Sequence, residues 1–277
     1  MEKIKKVTGK SPVKTGIVLT ILALGFRILD IFIFRLDEVL GEIILSKAIG
    51  FIIVVVFLLI VGKSLKDIGY HKNNIGAAFL IGGFVTLFIL FMSYLFEYIL
   101  VFSESPKFIL TFVDPKAGIT GGFLFGLILI IGNLVNCFME ESLFRGVLIP
   151  LFGKRYNVKA SITLSALVFG LWHIPWAVKW YMSGVVTSQG EFLGAVFTNF
   201  APQFLMGIIF GLMYYYTDSL WTPWISHFFI NTTLNVLHTS YSGKLDPGMV
   251  PRMGFFLLLF FLSITLIIWY TNKRKTR

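Results

Sequence analysis

The chain has 277 residues, of which 56% are hydrophobic and only 14% charged, where an average soluble domain carries about 25% charged residues. With a mean hydropathy of +0.83, this excludes a large aqueous domain and points to a polytopic, all-α integral membrane protein. The net charge of +10 does not call for a nucleic-acid partner, because the basic residues gather at the ends of apolar segments.

A membrane-spanning helix needs about 20 apolar residues. In chain order, eight segments qualify: Thr15–Phe34, Ile43–Val61, Ile75–Val101, Thr120–Phe152, Ala160–Trp180, Gly194–Tyr216, Leu220–Ser240 and Gly254–Tyr270. The first is long enough to span and is followed by no small-residue cleavage site, so it reads as an anchor and not a signal peptide. The fourth is too long for a perpendicular crossing and is expected to tilt or protrude. The seventh is diluted by Thr, Asn, His and Pro. Ser103–Gly118 is mixed in polarity and is expected along the interface. No repeat or soluble linker interrupts the chain, so residues 1–277 read as one membrane domain, with its polar motifs in 120–240.

Eight crossings put both termini on one side. One set of loops carries fifteen Lys and Arg: Lys3, Lys5, Lys6, Lys10, Lys14; Lys63, Lys66, Lys72; Lys154, Arg155, Lys159; and Lys273, Arg274, Lys275, Arg277. The other set carries six. The imbalance predicts cytoplasmic termini.

Six polar side chains fall within apolar stretches: Glu140, Glu141 and Arg145 on the fourth, His173 on the fifth, and His227 and Asn231 on the seventh. A charge at the bilayer centre costs at least about 2.5–3.5 kcal/mol, so such residues mark function. Counted from the cytoplasmic helix ends, Glu140, His173, His227 and Asn231 lie roughly 18, 20, 11 and 17 Å deep at ~1.5 Å per residue. That agreement suggests a cavity opening toward the cytoplasm.

Spacing separates roles. Glu141 and Arg145 are i,i+4 and can pair on one helix face. Glu140 points about 100° away and is left as the free carboxylate, suited to a general base. Phe169 is i,i+4 with His173 and can fix its ring, and Pro175 is expected to open the helix beside it. His227 and Asn231, also i,i+4, form a pair of donors suited to an oxyanion. Together, Glu140 and His173 would activate a water, and His227 and Asn231 would stabilise a tetrahedral intermediate in peptide hydrolysis. Ser142 and Cys137 have no base at an obvious spacing. The sole cysteine, Cys137, excludes a disulfide framework and a Cys-based zinc site. Glu140, His173 and His227 are acceptable zinc ligands, yet no H-E-x-x-H occurs. The residues alone leave a zinc alternative open beside the cofactor-free reading taken here.

The runs E-E-S-L-F-R (Glu140 to Arg145), F-G-L-W-H (Phe169 to His173) and H-F-F-I-N (His227 to Asn231) resemble the three motifs of the CAAX-processing endopeptidase and bacteriocin-processing superfamily of intramembrane proteases. The chain is most similar to prokaryotic, archaeal or bacterial, homologues of the Ras-converting CAAX endopeptidase. The resemblance covers roughly residues 120–240, and eight spans suit the family. It implies removal of the last three residues of a prenylated Cys-a-a-X protein. It also implies Glu140 and His173 as the water-activating pair, His227 and Asn231 as the oxyanion pair, and Glu141 and Arg145 as support. The membrane is the cell membrane in a prokaryote and the endoplasmic reticulum in a eukaryote. Partners are the prenylated substrate and lipid, with no nucleic acid. A non-catalytic scaffold or immunity protein would share the motifs. A transporter would show inverted repeats or paired broken helices, and neither is found.

Other polar residues have plainer readings. Arg27 and Asp30, i,i+3, are expected to satisfy each other. Lys47 is expected to pair with an acid or border water, Glu97 to reach the outer interface, and His71 and His238 to be solvated at segment ends.

Overall fold

A computed structural model describes residues 9–40, 42–73, 75–116 and 118–275. Lys3, Lys5, Lys6 and Arg277 lie outside these. The fold is a helical bundle: α1 (Pro12–Leu29, running on as a π-helical turn Asp30–Phe34), α2 (Ile44–Val61), and α3 (Thr86–Leu100, led in by Ile75–Ala77 and a π-helical stretch Ala78–Val85). Strands β1 (Lys107–Leu110), β2 (Phe112–Asp114) and β3 (Ile119–Gly121) follow. Then come α4 (Phe123–Glu140, continuing through the π-helix Glu141–Leu148 to Phe152), α5 (Val158–Leu171), α6 (Ile174–Met182), α7 (Gln189–Thr217) and α8 (Trp221–Val236). Strands β4 (Leu237–Tyr241) and β5 (Lys244–Leu245) precede α9 (Met249–Lys275).

Seven helical stretches are long and apolar enough to cross a membrane among the described residues: Pro12–Phe34, Ile44–Val61, Ile75–Leu100, Phe123–Phe152, Val158–Met182, Gln189–Thr217 and Met249–Trp269. α8, expected as the seventh of eight spans, has 16 residues, about 24 Å at ~1.5 Å per residue. It still traverses the bundle beside the third span. At one end Leu220 N–H donates to the Gly69 carbonyl at 3.0 Å. At the other, β4 pairs antiparallel with β1, Lys107 opposite Ser240 through Leu110 opposite Leu237. Midway, the hydroxyls of Thr86 and Ser226 are 2.8 Å apart. A Cβ on Gly82 would stand 2.3 Å from the Thr222 carbonyl oxygen, so only glycine permits this close crossing. α8 can be short and polar because its neighbours bury one face of it, from Thr222 to Ile230.

In lipid, helices associate through close packing and not through a hydrophobic drive. The α5–α7 contact shows this, with Gly207 against Ala166 and Gly211 against Ile162, positions where a Cβ would meet atoms at 2.8 and 2.7 Å. The segment Ser103–Gly118, expected along the interface, holds β1 and β2, part of a small cap over one end of the bundle. The opposite end gathers the start of α1, where Arg155 donates to the Lys10 carbonyl at 2.8 Å, together with Lys63, Lys66 and Lys154. We call these the capped end and the basic end.

Two sequence expectations are corrected at the capped end. Glu97 does not reach the interface: it is fully buried and ion-paired with Arg252 at 2.8 Å. His238 is not solvated: its Nδ1 lies 2.5 Å from Asp246, and Asp246 meets Arg252 at 2.9 Å. A helix end reads as interface in sequence, but β4 folds back over this one.

Candidate active site

The site is assembled where α4 passes into the π-helix Glu141–Leu148, all of whose residues are buried. π-Helical turns are rare and frequent at functional sites. The wider turn lets two adjacent carboxylates serve one imidazole. His227 Nδ1 is 2.8 Å from Glu141 Oε1, and its Nε2 is 3.7 Å from Glu140 Oε2. A carboxylate accepts, so Nδ1 of His227 carries the hydrogen and Nε2 is the atom turned to Glu140. Glu141 Oε1 also accepts from Arg145 at 3.1 Å. Glu141 thus both pairs with Arg145 and orients His227, and only the first contact is readable from spacing.

His173 lies where α5 ends and α6 begins, with Pro175 in the first turn of the new helix. Its Nδ1 donates to the Phe169 carbonyl at 2.9 Å, which leaves Nε2 as the free lone pair of the neutral ring. The Phe169 ring packs edge-on against His173 at 4.9 Å, and the Arg145 guanidinium lies over it at 4.2 Å. Phe210 flanks His227 at 5.2 Å. Asn231 stands one turn beyond His227, half-buried, with no side-chain hydrogen bond among the described residues.

Two further residues, Arg27 and Trp172, join the site. Arg27 does not satisfy Asp30. Its Nη1 is 4.0 Å from Glu140 Oε1, and its guanidinium lies over the Trp172 ring at 4.8 Å. Asp30 instead accepts from the Ser46 N–H at 2.7 Å. Trp172 Nε1 donates to Glu140 Oε1 at 3.1 Å. Glu140 Oε1 is thereby held, while Oε2 is buried with no hydrogen-bond partner. The two buried carboxylates are balanced by two guanidinium groups, and Glu140 interacts electrostatically with both His173 and His227.

The surroundings are asymmetric. Toward the basic end the interior is apolar, with Leu143, Phe144, Leu148, Phe152 and Leu58 in one packed cluster. Toward the capped end, polar groups continue: Asn133 and Asn136 on α4, Thr232 and Asn235 on α8, and the Glu42–Lys47 ion pair at 2.7 Å. Helix depth suggests an opening toward the basic end; the polar side chains that continue from the site lie on its other side. Depth along a helix fixes a level but not which neighbour is polar. A cavity of about 220 Å³ at the basic end, lined by Phe57, Val61, Lys63, Val147 and Lys154 among others, touches none of Glu140, His173, His227 and Asn231.

Among the described residues, no group of three or more His, Cys, Asp and Glu side chains is arranged to hold a metal ion. Glu140 Oε1 is engaged by Trp172, His173 Nδ1 by Phe169 and His227 Nδ1 by Glu141, so a metal ion would have to be held through Glu140 Oε2 and the two Nε2 atoms. Ser142, the conceivable nucleophile, donates to Tyr70 at 3.2 Å, and Cys137 is fully buried.

Residues 122–233 match the Rce1-like family, described as type II CAAX prenyl endopeptidase Rce1-like. All three motifs fall inside that stretch. This segment is similar to the CAAX endopeptidase superfamily. Arg27 lies outside the family segment yet contacts its first motif. No curated protein and no solved structure gives a significant match.

Proposed function

We propose that this protein is an intramembrane endopeptidase that removes the aaX tripeptide from prenylated CaaX proteins with a glutamate-activated water. The observation that carries the reading is Glu140. One of its oxygens is fixed by Trp172 and faced by Arg27, and the other is unpaired and turned to His227. A carboxylate held at one oxygen and unpaired at the other is poised to take a proton.

The water donates to Glu140 Oε2 and to the lone pair of His173 Nε2. Its oxygen attacks the scissile carbonyl carbon, and Glu140 takes the proton. The resulting oxyanion accepts from Asn231 Nδ2 and from His227 Nε2. Because His227 Nδ1–H is committed to Glu141, donation from Nε2 requires the imidazolium. Collapse breaks the C–N bond, and Glu140 passes its proton to the leaving amine. The second water proton leaves the new carboxyl group through His173 Nε2 to the amine, and the products are a chain ending in the prenylcysteine carboxylate and a free tripeptide with an ammonium terminus. No cofactor takes part.

The protein is an integral, multi-pass membrane protein. In this proposal the basic end faces the cytoplasm, and the lipidated peptide reaches the site laterally, along the half-exposed flank of α8 that carries Asn231, Thr232 and Asn235. Impermeant-thiol labelling of Lys154→Cys against Ser242→Cys tests the orientation: label from the cytoplasmic side on Ser242→Cys alone overturns it. For the activity, purified protein is expected to cleave a farnesylated Cys-a-a-X peptide after the cysteine. The same peptide without its prenyl group should be a poor substrate. Absence of cleavage of the farnesylated peptide would refute the reading.

A further inference from the structure

α4 and α8 run antiparallel past one another, and their polar residues meet in rungs. Glu140 faces His227 at 3.7 Å. Nearer the capped end, Asn133 Nδ2 donates to Asn235 Oδ1 at 2.9 Å, and Asn235 in turn donates to the Val113 carbonyl at 2.7 Å. Asn136 lies four residues before Glu140, and Asn231 four residues beyond His227. The register therefore sets Asn136 opposite Asn231, between these two rungs. This middle rung is not closed by a direct hydrogen bond. Asn136 is 5% exposed, and its Oδ1 is a buried acceptor with no partner. A buried amide oxygen without a donor is costly, and here it sits one turn from the carboxylate that would activate water.

The rung has an acceptor on α4, Asn136 Oδ1, and a donor on α8, Asn231 Nδ2. A trans peptide unit presents its N–H and C=O on opposite sides of one plane. One peptide placed between the two asparagines satisfies both. We propose that Asn136 is a substrate-binding residue: its Oδ1 accepts the N–H of the scissile peptide while Asn231 donates to the carbonyl of the same peptide. The inference rests on the proteolytic reading above and adds the group that holds the leaving nitrogen. Asn133 and Asn235 close the rung next to it and fix the spacing of the two helices. The hydrolysis itself is unchanged: water forms the new C–O bond, the C–N bond breaks, and the leaving nitrogen receives the proton carried by Glu140.

The test uses the purified full chain and two farnesylated substrates, a Cys-a-a-X peptide and its ester analogue, in which the scissile N–H is replaced by oxygen. Asn136→Leu should lower kcat/KM on the amide by about 10- to 100-fold and on the ester by less than about 3-fold, since the ester has no hydrogen to lose. Equal loss on both substrates overturns the assignment. Should Asn136→Leu fail to fold, Asn136→Asp decides, because it keeps the acceptor: the amide-to-ester ratio must stay within about 3-fold of wild type, and a larger fall overturns the proposal. Wild-type protein inactive on the amide overturns the proteolytic reading itself. Wild-type activity with equal losses overturns only the role of Asn136.

Discussion

Glu141 Oε1 holds the Nδ1 hydrogen of His227 at 2.8 Å, and the same oxygen accepts from Arg145 at 3.1 Å. One buried carboxylate therefore fixes a guanidinium on its own helix and an imidazole on α8. The ring it orients turns Nε2 to the neighbouring Glu140. Orientation of a histidine by a carboxylate is a recurrent element of catalytic sites.

Glu141→Gln retains an acceptor for His227 but weakens the hold on Arg145. Glu141→Ala removes both and leaves a buried guanidinium unpaired. Glu141→Ala should lower kcat by about 10²–10³-fold, comparable to losing an oxyanion donor, and destabilise the fold by about 3–5 kcal/mol. Turnover and thermal unfolding of the two variants check this. Wild-type turnover in a folded Glu141→Ala protein would contradict the role.

Arg27 is the cation facing Glu140 Oε1 and lies over Trp172. Arg27→Met should reduce cleavage by about 10-fold or more, because Glu140 then sits buried without its facing charge. Arg27→Lys should restore only part of the activity, since an ammonium cannot reproduce the planar stacking on the indole. Steady-state kinetics on the farnesylated peptide measure both, and an unchanged rate for Arg27→Met would remove Arg27 from the site.

How much of this was legible in the sequence follows from range. Glu140, Glu141, Arg145, His173 and His227 stand out as polar residues in apolar runs, and helical periodicity pairs Glu141 with Arg145 and Phe169 with His173. Arg27 is invisible by the same rule, because a local partner at i+3, Asp30, explains it away and its real neighbour is more than a hundred residues on. Trp172 reads as core packing, with nothing in its spacing to show an indole N–H aimed at a carboxylate. The π-helix at Glu141–Leu148 has no hydrophobic signature of its own, and ideal α-helical spacing puts Glu140 and Glu141 on different faces. Strand pairing between β1 and β4 joins segments about 130 residues apart, and it is what buries Glu97 and His238.

The Glu97–Arg252–Asp246–His238 network ties α3, β4 and α9 together at the capped end. Arg252→Met should destabilise the protein by about 3–5 kcal/mol, since it strands two carboxylates, while activity per folded molecule stays near wild type. Burial alone would push Asp246 up; the hydrogen bond from His238, that from the Thr239 N–H, and the Arg252 cation outweigh it and hold Asp246 below the ordinary carboxylate range. A depressed carboxylate stabilises above its unfolded value of about 3.9 and ceases to do so as pH falls through the folded value. Thermal unfolding should therefore weaken in acid below about pH 4, and Asp246→Asn should flatten that acid limb. An unchanged acid limb would contradict the linkage.

Dialysis against a strong chelator should leave cleavage intact, and metal analysis of active protein should find zinc well below one equivalent. Loss of activity restored by added zinc would reverse the cofactor-free proposal and make Glu140, His173 and His227 the ligands to test first.

The central claim is that Glu140 is the base. Glu140→Ala, shown to be folded by gel filtration and thermal unfolding, is expected to give no detectable cleavage of the farnesylated Cys-a-a-X peptide under conditions where wild type cleaves it. Cleavage by the folded Glu140→Ala protein at the wild-type rate would contradict the account.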